Sequence, residues 1–202
     1  MEAVANQCAQ GLPLTVFDIQ HAQLGIGIGA PNGNYHKGTV EYPANLWKFR
    51  PDEKNPDESR RLFNLVADMQ KYFPSTLILL TNDANAATIG EMVYGNAKGM
   101  QDFVMITLGT GLGSGFVANG EMIYGHDGFA GELGHVISRR TNGRQCGCGR
   151  TGCLEAYCSA TGVARTAREF LEARTDDSLL RNMPIEDITS KDVYDAAVSG
   201  DK

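Results

Sequence analysis

The chain has 202 residues, of which 24 are acidic and 18 are basic, and its formal net charge is −6. This length suffices for one domain or two modest ones, and 42% hydrophobic residues predict a folded protein. No apolar run is long enough to cross a bilayer, the first residues lack a signal-peptide pattern, and the acidic balance disfavours a broad nucleic-acid surface. We therefore expect a cytoplasmic protein that binds neither membranes nor nucleic acids.

The first eighty residues predict helices that alternate with strands. The predicted elements are a helix at 1–10, a strand at 24–29, a turn at 31–34, a helix between Ser59 and Pro74, and a strand at 76–81. Ser59 can cap the second helix, whose apolar residues from Leu62 to Met69 recur at helical spacing. The strand at 76–81 is short and apolar, so we expect it in a sheet that is covered on both faces.

The second half of the chain is rich in glycine. Its predicted elements are a helix at 85–96, a strand at 103–108, a glycine turn at 109–115, strands at 116–118 and 122–124, an irregular segment at 125–155, a helix at 156–173, and one or two helices towards residue 202. Asn119 and Gly120 form a tight-turn pair, so the three strands predict an antiparallel meander. Cys8 and Cys158 are expected to be small buried residues.

Three cysteines lie within eight residues of the irregular segment, at positions Cys146, Cys148 and Cys153, among glycines. Zinc prefers four ligands in a tetrahedron, and three cysteines with one histidine are a standard closed set. The nearest upstream histidines are His126 and His135, and the loop from His135 can return its imidazole to the thiolates. We therefore predict a structural zinc site, and the alternative is a group of reduced core cysteines.

The glycine turn that begins at Gly109 suggests a second site. A glycine-rich turn between two strands exposes backbone N–H groups that can bind phosphate oxygens, and Thr110 can add a hydroxyl donor. The turn lacks the Gly-Lys-Ser/Thr ending of a P-loop, and a strand follows it instead of a helix. The alternative is a hairpin corner in which the glycines only relieve crowding.

Three acidic residues are candidates for catalysis or for substrate binding. Asp83 follows an apolar strand and can accept a proton from a substrate hydroxyl, although Asn82, Asp83 or Asn85 can instead cap the next helix. Glu132 and Glu155 lie within three residues of a predicted zinc ligand, and carboxylates accept hydrogen bonds from sugar hydroxyls. Their alternative is to be solvated surface acids. The same surface interpretation applies to the basic residues near the cysteines, which are Lys98, Arg139, Arg140, Arg144 and Arg150.

Five stretches of this sequence resemble the ROK family of sugar kinases and sugar-responsive repressors. They are residues 25–34, 82–86, 108–115, 131–135 and 146–155. The last two are the most specific, and the likeness is closest to bacterial ROK glucokinases. The resemblance implies an α/β fold of the actin–hexokinase (ribonuclease H-like) type, with two domains around a cleft. Residues 1–83 would then belong to the first domain and residues 84–202 to the second.

The resemblance also implies a role for each candidate residue. The catalytic base is matched by Asp83, and the sugar-contacting positions are matched by Asn82, Asp83, Glu132, His135 and Glu155. A phosphate motif is matched by Gly109, Thr110 and Gly111. The zinc ligands are matched by His135, Cys146, Cys148 and Cys153. With one imidazole nitrogen on zinc, His135 would keep the other for a sugar hydroxyl. The implied cofactors are structural zinc, ATP and magnesium, and the implied partners are a hexose and further copies of the chain in a homo-dimer or tetramer.

The sequence also departs from the family pattern. Family members begin with an Asp-x-Gly-Gly-Thr-type phosphate motif, which is not found here, and they continue past the position of residue 202. We therefore expect a middle piece of a family member. The leading hypothesis is ATP-dependent phosphorylation of a hexose, most simply glucose to glucose 6-phosphate. The alternatives are the sugar-sensing domain of a ROK repressor, a kinase for another hexose such as N-acetylmannosamine or fructose, and a zinc-stabilised carbohydrate-binding module.

Overall fold

The computed structural model describes residues 25–43 and 62–201. The predicted helix at 1–10, Cys8 and the cap at Ser59 lie outside the described residues. The described strands are β1 (Ile26–Gly29), β2 (Gly33–Asn34), β3 (Thr39–Glu41), β4 (Leu62–Phe63), β5 (Ile78–Thr81), β6 (Phe103–Leu108), β7 (Leu112–Ala118) and β8 (Glu121–Met122). The described α-helices are α1 (Leu65–Gln70), α2 (Asp83–Val93), α3 (Glu155–Cys158), α4 (Ala160–Ala173) and α5 (Ser190–Val198). In these two ranges, no helix is long and apolar enough to span a membrane.

The described residues form two compact units. The first unit contains residues 25–43, 62–103 and 117–130, and the second contains residues 104–116 and 131–201. The α/β class that the sequence predicts is confirmed, because the described residues contain both helices and strands and the parallel strands β1 and β5 are connected through α1.

Strands β1 and β5 pair in parallel and form the centre of the first unit. Leu80 is 1% exposed and packs with Ala30 and Val40 against residues of β1 and α1. Leu79 points to the opposite side of the sheet and is 44% exposed. The prediction of a sheet covered on both faces is therefore confirmed on the Leu80 face and wrong at Leu79.

The chain around Leu62 shows where tertiary pairing overrides a helical pattern. Leu62 and Phe63 pair with β3 in an antiparallel register, so the predicted helix does not include them. Helix α1 begins only after Asn64, whose side-chain oxygen accepts a hydrogen bond from the Ala67 amide at 3.0 Å. The apolar residues do recur at helical spacing, but the first two of them, Leu62 and Phe63, belong to a strand.

The predicted meander is present, with the strand order β6-β7-β8. β7 begins at Leu112, which leaves Gly109–Gly111 as the connection and makes the glycine turn shorter than predicted. The predicted helix at 156–173 is divided at Ser159, whose extended backbone ends α3 and whose hydroxyl accepts a hydrogen bond from the Gly162 amide at 3.1 Å. After α4, two short 3₁₀ turns and α5 pack around Leu171 and Ile188.

Candidate functional site

The first unit presents Asn82 and Asp83 at the junction of β5 and α2. Asn82 caps the helix, since its side-chain oxygen accepts a hydrogen bond from the Ala84 amide at 2.8 Å. Asp83 is exposed, and its Oδ1 lies 2.9 Å from the same amide. Among the described residues, hydrogen bonds engage only Oδ1 of this carboxylate, which leaves Oδ2 for a ligand. Asn85 is buried at 3% exposure and does not act as the cap.

In the second unit, the cysteine loop is the segment of residues 131–155, and backbone hydrogen bonds join its two ends. The amides of Ser138 and Arg139 donate to the Gly152 carbonyl at 2.8 and 3.1 Å. Leu154 donates to the Val136 carbonyl at 2.9 Å, next to His135 in sequence. A Cβ added at Gly152 would lie 1.9 Å from the Arg139 carbonyl oxygen, and this residue has a φ of +81°. Glycine is therefore required there by both backbone conformation and space.

A tight turn completes the cysteine loop. The Cys146 amide donates to the Arg150 carbonyl at 2.9 Å, and the Gly149 amide donates to the Cys146 carbonyl at 3.0 Å. An isolated bridge between Gln145 and Thr151 closes the turn. These local hydrogen bonds return the chain to Cys153 within a few residues, so the thiols meet without a regular element.

The structure brings His135, Cys146, Cys148 and Cys153 together, with their donor atoms all within 4.8 Å of one another. His135 Nδ1 lies 3.8 Å from Cys146 Sγ, and the Sγ atoms of Cys148 and Cys153 are 3.6 Å apart. A tetrahedron of sulfur donors around zinc, with bonds of about 2.3 Å, has edges of about 3.8 Å. The donors therefore have the identity that zinc requires, two of their six pairs have this spacing, and the other pairs lie within 4.8 Å. Because Nδ1 faces the thiols, Nε2 is the nitrogen that remains for another ligand.

Two further residues that the sequence analysis considered, His126 and Cys158, lie outside this group. His126, the other candidate histidine, has a fully exposed side chain beside Asp127 and does not join the four donors. Cys158 is exposed, so the prediction that it is buried is wrong. It lies on α3, where a thiol at the end of a four-residue helix faces outward.

The three thiols of the group differ in their electrostatic surroundings. Burial raises the pKa of Cys146 to about 12, and burial also raises the pKa of Cys153. At Cys148, the raising effect of burial is outweighed by hydrogen bonds from the backbone and side chain of Arg150, and its pKa falls to about 6. Metal binding would therefore displace protons mainly from Cys146 and Cys153. Arg150, interpreted from sequence as solvated surface, contacts the cluster.

The Gly109–Gly111 turn is held by the beginning of α4. The Ala160 amide donates to the Gly109 carbonyl at 2.9 Å, and the Thr161 hydroxyl donates to the Thr110 carbonyl at 2.8 Å. Among the described residues, the amides of Thr110 and Gly111 have no protein acceptor. The turn therefore combines a fixed backbone with two N–H groups that can bind an anion.

Glu155 connects this turn with the cysteine group. It is half-buried, and its Oε2 accepts a hydrogen bond from the Leu112 amide at 2.9 Å. Its Oε1 lies 3.5 Å from the Cys146 thiol, which donates to it. A Cβ added at Gly111 would lie 2.4 Å from Oε2, so a larger residue there would displace the carboxylate. The solvated-acid alternative is therefore wrong for Glu155.

Glu132 lies at the start of a 3₁₀ turn, Leu133–His135, and is exposed. The hydroxyl of Ser114, a buried residue of β7, donates to the Gly131 carbonyl and accepts from the Leu133 amide at 3.1 Å. Ser114 therefore fixes the chain on both sides of Glu132. In the sequence, Ser114 is only a polar residue within the glycine-rich stretch, and this predicts no particular contact.

Arg144 is a second structural residue that the sequence analysis missed, because basic residues near a loop are usually solvated. Its guanidinium donates to the carbonyls of Ala156 and Gly162 at 2.9 and 3.2 Å and to the hydroxyl of Thr166 at 2.9 Å. It also forms an ion pair with Glu169 at 2.6 Å, and its side chain is only 10% exposed. Arg144 therefore ties the cysteine loop to α3 and α4.

Comparison with known proteins places these motifs in one family. Residues 52–202 match the ROK family model. A glucokinase from Halalkalibacterium halodurans is 36% identical over 181 residues, which are 88% of this chain and 51% of that protein. The chain spans about half the length of the curated relatives it matches, with 51% and 59% for the glucokinases of H. halodurans and Thermotoga maritima.

Two solved structures are similar to this chain over nearly its full length. A ROK family glucokinase from Streptomyces griseus in complex with glucose and AMPPNP has a TM-score of 0.65 at 28% identity, covering 99% of this chain and 59% of that one. A ROK family transcriptional regulator, a homologue of the E. coli MLC protein, has a TM-score of 0.71 at 25% identity, covering 99% of this chain and 44% of that one. These likenesses confirm the expected fold of the actin–hexokinase type. The chain belongs to the ROK family.

Proposed function

We propose that this chain is part of an ATP-dependent hexose kinase that converts glucose to glucose 6-phosphate. The observation that carries the proposal is the exposed Asp83 carboxylate at the carboxyl end of β5, with one oxygen engaged by the helix start and the other unengaged. Ligands of open α/β sheets bind at the carboxyl ends of parallel strands. The likeness to glucokinases, one of them solved with glucose and AMPPNP, supports the same assignment.

In the proposed reaction, Asp83 orients the primary hydroxyl of the hexose and accepts its proton through Oδ2. The hydroxyl oxygen then forms a bond to the γ-phosphorus of ATP while the bond to the leaving ADP oxygen breaks. Because such transition states are loose, positioning and charge neutralisation supply most of the acceleration. The amides of Thr110 and Gly111, in the turn that begins at Gly109, are proposed to bind phosphate oxygens of ATP, which enters together with Mg²⁺ as one substrate.

We assign recognition of the sugar ring to the residues that match the sugar-contacting positions of the ROK family. The proposed contacts are Asn82, Asp83, Glu132, His135 and Glu155. His135 is proposed to act through Nε2, since its Nδ1 faces the thiols. The hydroxyls of a hexose both donate and accept, which suits a set that contains carboxylates, an amide and an imidazole.

We propose that His135, Cys146, Cys148 and Cys153 hold a structural zinc ion. When bound, zinc would supply a structural cross-link between these four residues and no catalytic water, because four protein ligands leave no open position. The residues themselves then keep the His135 ring oriented and Glu155 in place. This proposal is supported by the donor identities and by their mutual distances below 4.8 Å.

A second candidate is the sugar-sensing domain of a repressor, which the structural likeness to a ROK transcriptional regulator favours. Such a domain binds a hexose but transfers no phosphate. A coupled assay that follows ADP release with glucose, N-acetylmannosamine and fructose separates the two candidates. A kinase gives turnover that Asp83→Asn lowers by roughly 10²–10⁴-fold, whereas a sensor binds a hexose by calorimetry with no ADP release. Assays use the chain together with any flanking sequence that its gene encodes.

A further inference from the structure

The peptide between Gly111 and Leu112 is held at both ends. Its carbonyl, that of Gly111, accepts a hydrogen bond from the Gly109 amide at 3.0 Å, and its N–H, that of Leu112, donates to Glu155 Oε2 at 2.9 Å. A peptide unit is planar, so fixing both groups fixes the orientation of the whole unit. The Thr110 and Gly111 amides belong to the two preceding peptide units, whose carbonyls are held by Ala160 and Thr161. Glu155 therefore fixes the C-terminal end of the turn, one backbone rotation away from the Gly111 amide.

Glu155 is in turn positioned by the cysteine group. It follows Cys153, which is fully buried, by two residues, and the intervening Leu154 is fixed by its hydrogen bond to Val136 at 2.9 Å. The second carboxylate oxygen lies 3.5 Å from Cys146 Sγ. Movement of the thiols would therefore reach the glycine turn through one side chain. All of these contacts lie within the second unit.

We propose that Glu155 is a positioning residue that couples the cysteine group to the phosphate-binding turn, so that the state of the cysteines sets the affinity for a nucleotide. This inference rests on the proposed function. It differs from a role of Glu155 in holding the sugar, because it predicts an effect on nucleotide binding when no sugar is present.

The first test measures binding of AMPPNP by calorimetry without any hexose. Loss of a charge-assisted hydrogen bond predicts that Glu155→Ala raises the Kd roughly tenfold. Glu155→Gln keeps a carbonyl that accepts from Leu112 but loses the charge, so its Kd should lie between those of the wild type and Glu155→Ala. The matched control is Glu172→Ala, which removes an exposed carboxylate from α4. If Glu155→Ala binds AMPPNP as the wild type does, the coupling is wrong even where hexose binding falls. If the wild type itself binds no AMPPNP, the proposed kinase function fails, and the nucleotide coupling fails with it.

The second test needs neither nucleotide nor activity. Hydrogen exchange at the Leu112 amide should become roughly tenfold faster in Glu155→Ala, because this amide loses its acceptor. A zinc chelator should accelerate the same amide in the wild type and add little further in Glu155→Ala. An equal chelator effect in both proteins would mean that the cysteines act on the turn by another route and would overturn the proposal. If Glu155→Ala does not fold, the comparison of Glu155→Gln with the chelated wild type decides, since only chelation should accelerate Leu112.

Discussion

The Asp83 corner and the cysteine loop are positioned in opposite ways. Asp83 lies where a parallel strand runs into an eleven-residue helix, so regular hydrogen bonding of β5 and α2 holds its backbone. The cysteine loop contains only isolated bridges and a 3₁₀ turn, and it depends on side chains such as Arg144 and Glu155. A site on regular elements can lose its reactive group without losing its fold. A site on cross-linked loops should lose fold and function together.

The largest expected effect tests the first half of this comparison. Asp83→Asn should lower kinase turnover by roughly 10²–10⁴-fold, because general-base catalysis contributes about this much. The melting temperature should change little, since Asn82 remains the helix cap. Asp177→Asn, at an exposed position in the second unit, is the matched control. Retained turnover in Asp83→Asn would remove the proposed base.

Metal removal should have the opposite signature in the cysteine loop. Chelation or Cys153→Ser should destabilise residues 131–155 by about 3 kcal/mol or more, because the metal site closes a loop with little regular structure. Urea unfolding measures the stability, and mass spectrometry measures how much zinc the protein binds. Cys158→Ser, at the exposed thiol outside the group, should change neither. Purified protein without bound zinc would contradict the proposed site.

The Arg144 side chain offers the next test. Arg144→Ala should lower the free energy of unfolding by about 2–4 kcal/mol, since it removes the guanidinium hydrogen bonds to the Ala156 and Gly162 carbonyls and a cation stacked 4.7 Å from the Tyr157 ring. Arg140→Ala, at an exposed position in the same loop, should have almost no effect. Equal stability of both variants would show that the loop does not depend on this side chain.

Ser114→Ala should lower the free energy of unfolding by about 1–3 kcal/mol, because it removes the hydroxyl that bridges Gly131 and Leu133. Hydrogen exchange at the Leu133 amide should increase with it. Ser199→Ala, at an exposed hydroxyl directly after the last helix, is the control. Unchanged exchange at Leu133 would contradict the idea that Ser114 positions the Glu132 turn.

The smallest effect concerns pH. Hydrogen bonds from Arg144 and Arg165 lower the pKa of Glu169. A lowered pKa stabilises the fold above the unfolded-state pKa, and this contribution is lost as the pH falls through the folded-state pKa. Because Glu169 is largely solvated, Glu169→Gln should lower the free energy of unfolding by less than about 1 kcal/mol at neutral pH. The difference in stability between the variant and the wild type should vanish in acid. Urea unfolding at several pH values measures it, and a difference that grows in acid would contradict this assignment.

Local patterns were reliable where one segment satisfies its own hydrogen bonds. The strands β5 and β6 and the helix α2 follow the predicted ranges within a few residues. The pattern failed around Leu62, because the same apolar residues suit a helix face or a strand pair, and only β3 decides between them. It also failed to divide the predicted helix at Ser159, although the division uses a local signal: the Ser159 hydroxyl caps α4 by accepting from the Gly162 amide.

The sequence by itself determined the α/β class, the family and the chemical identity of the donors, because residue type and close spacing carry that information. Only the tertiary structure decided that His135 presents Nδ1 to the thiols, that Arg144 is enclosed, and that Glu155 reaches a turn 43 positions away in the chain. The physical reason is that these hydrogen bonds join segments whose separation along the chain says nothing about their distance in space.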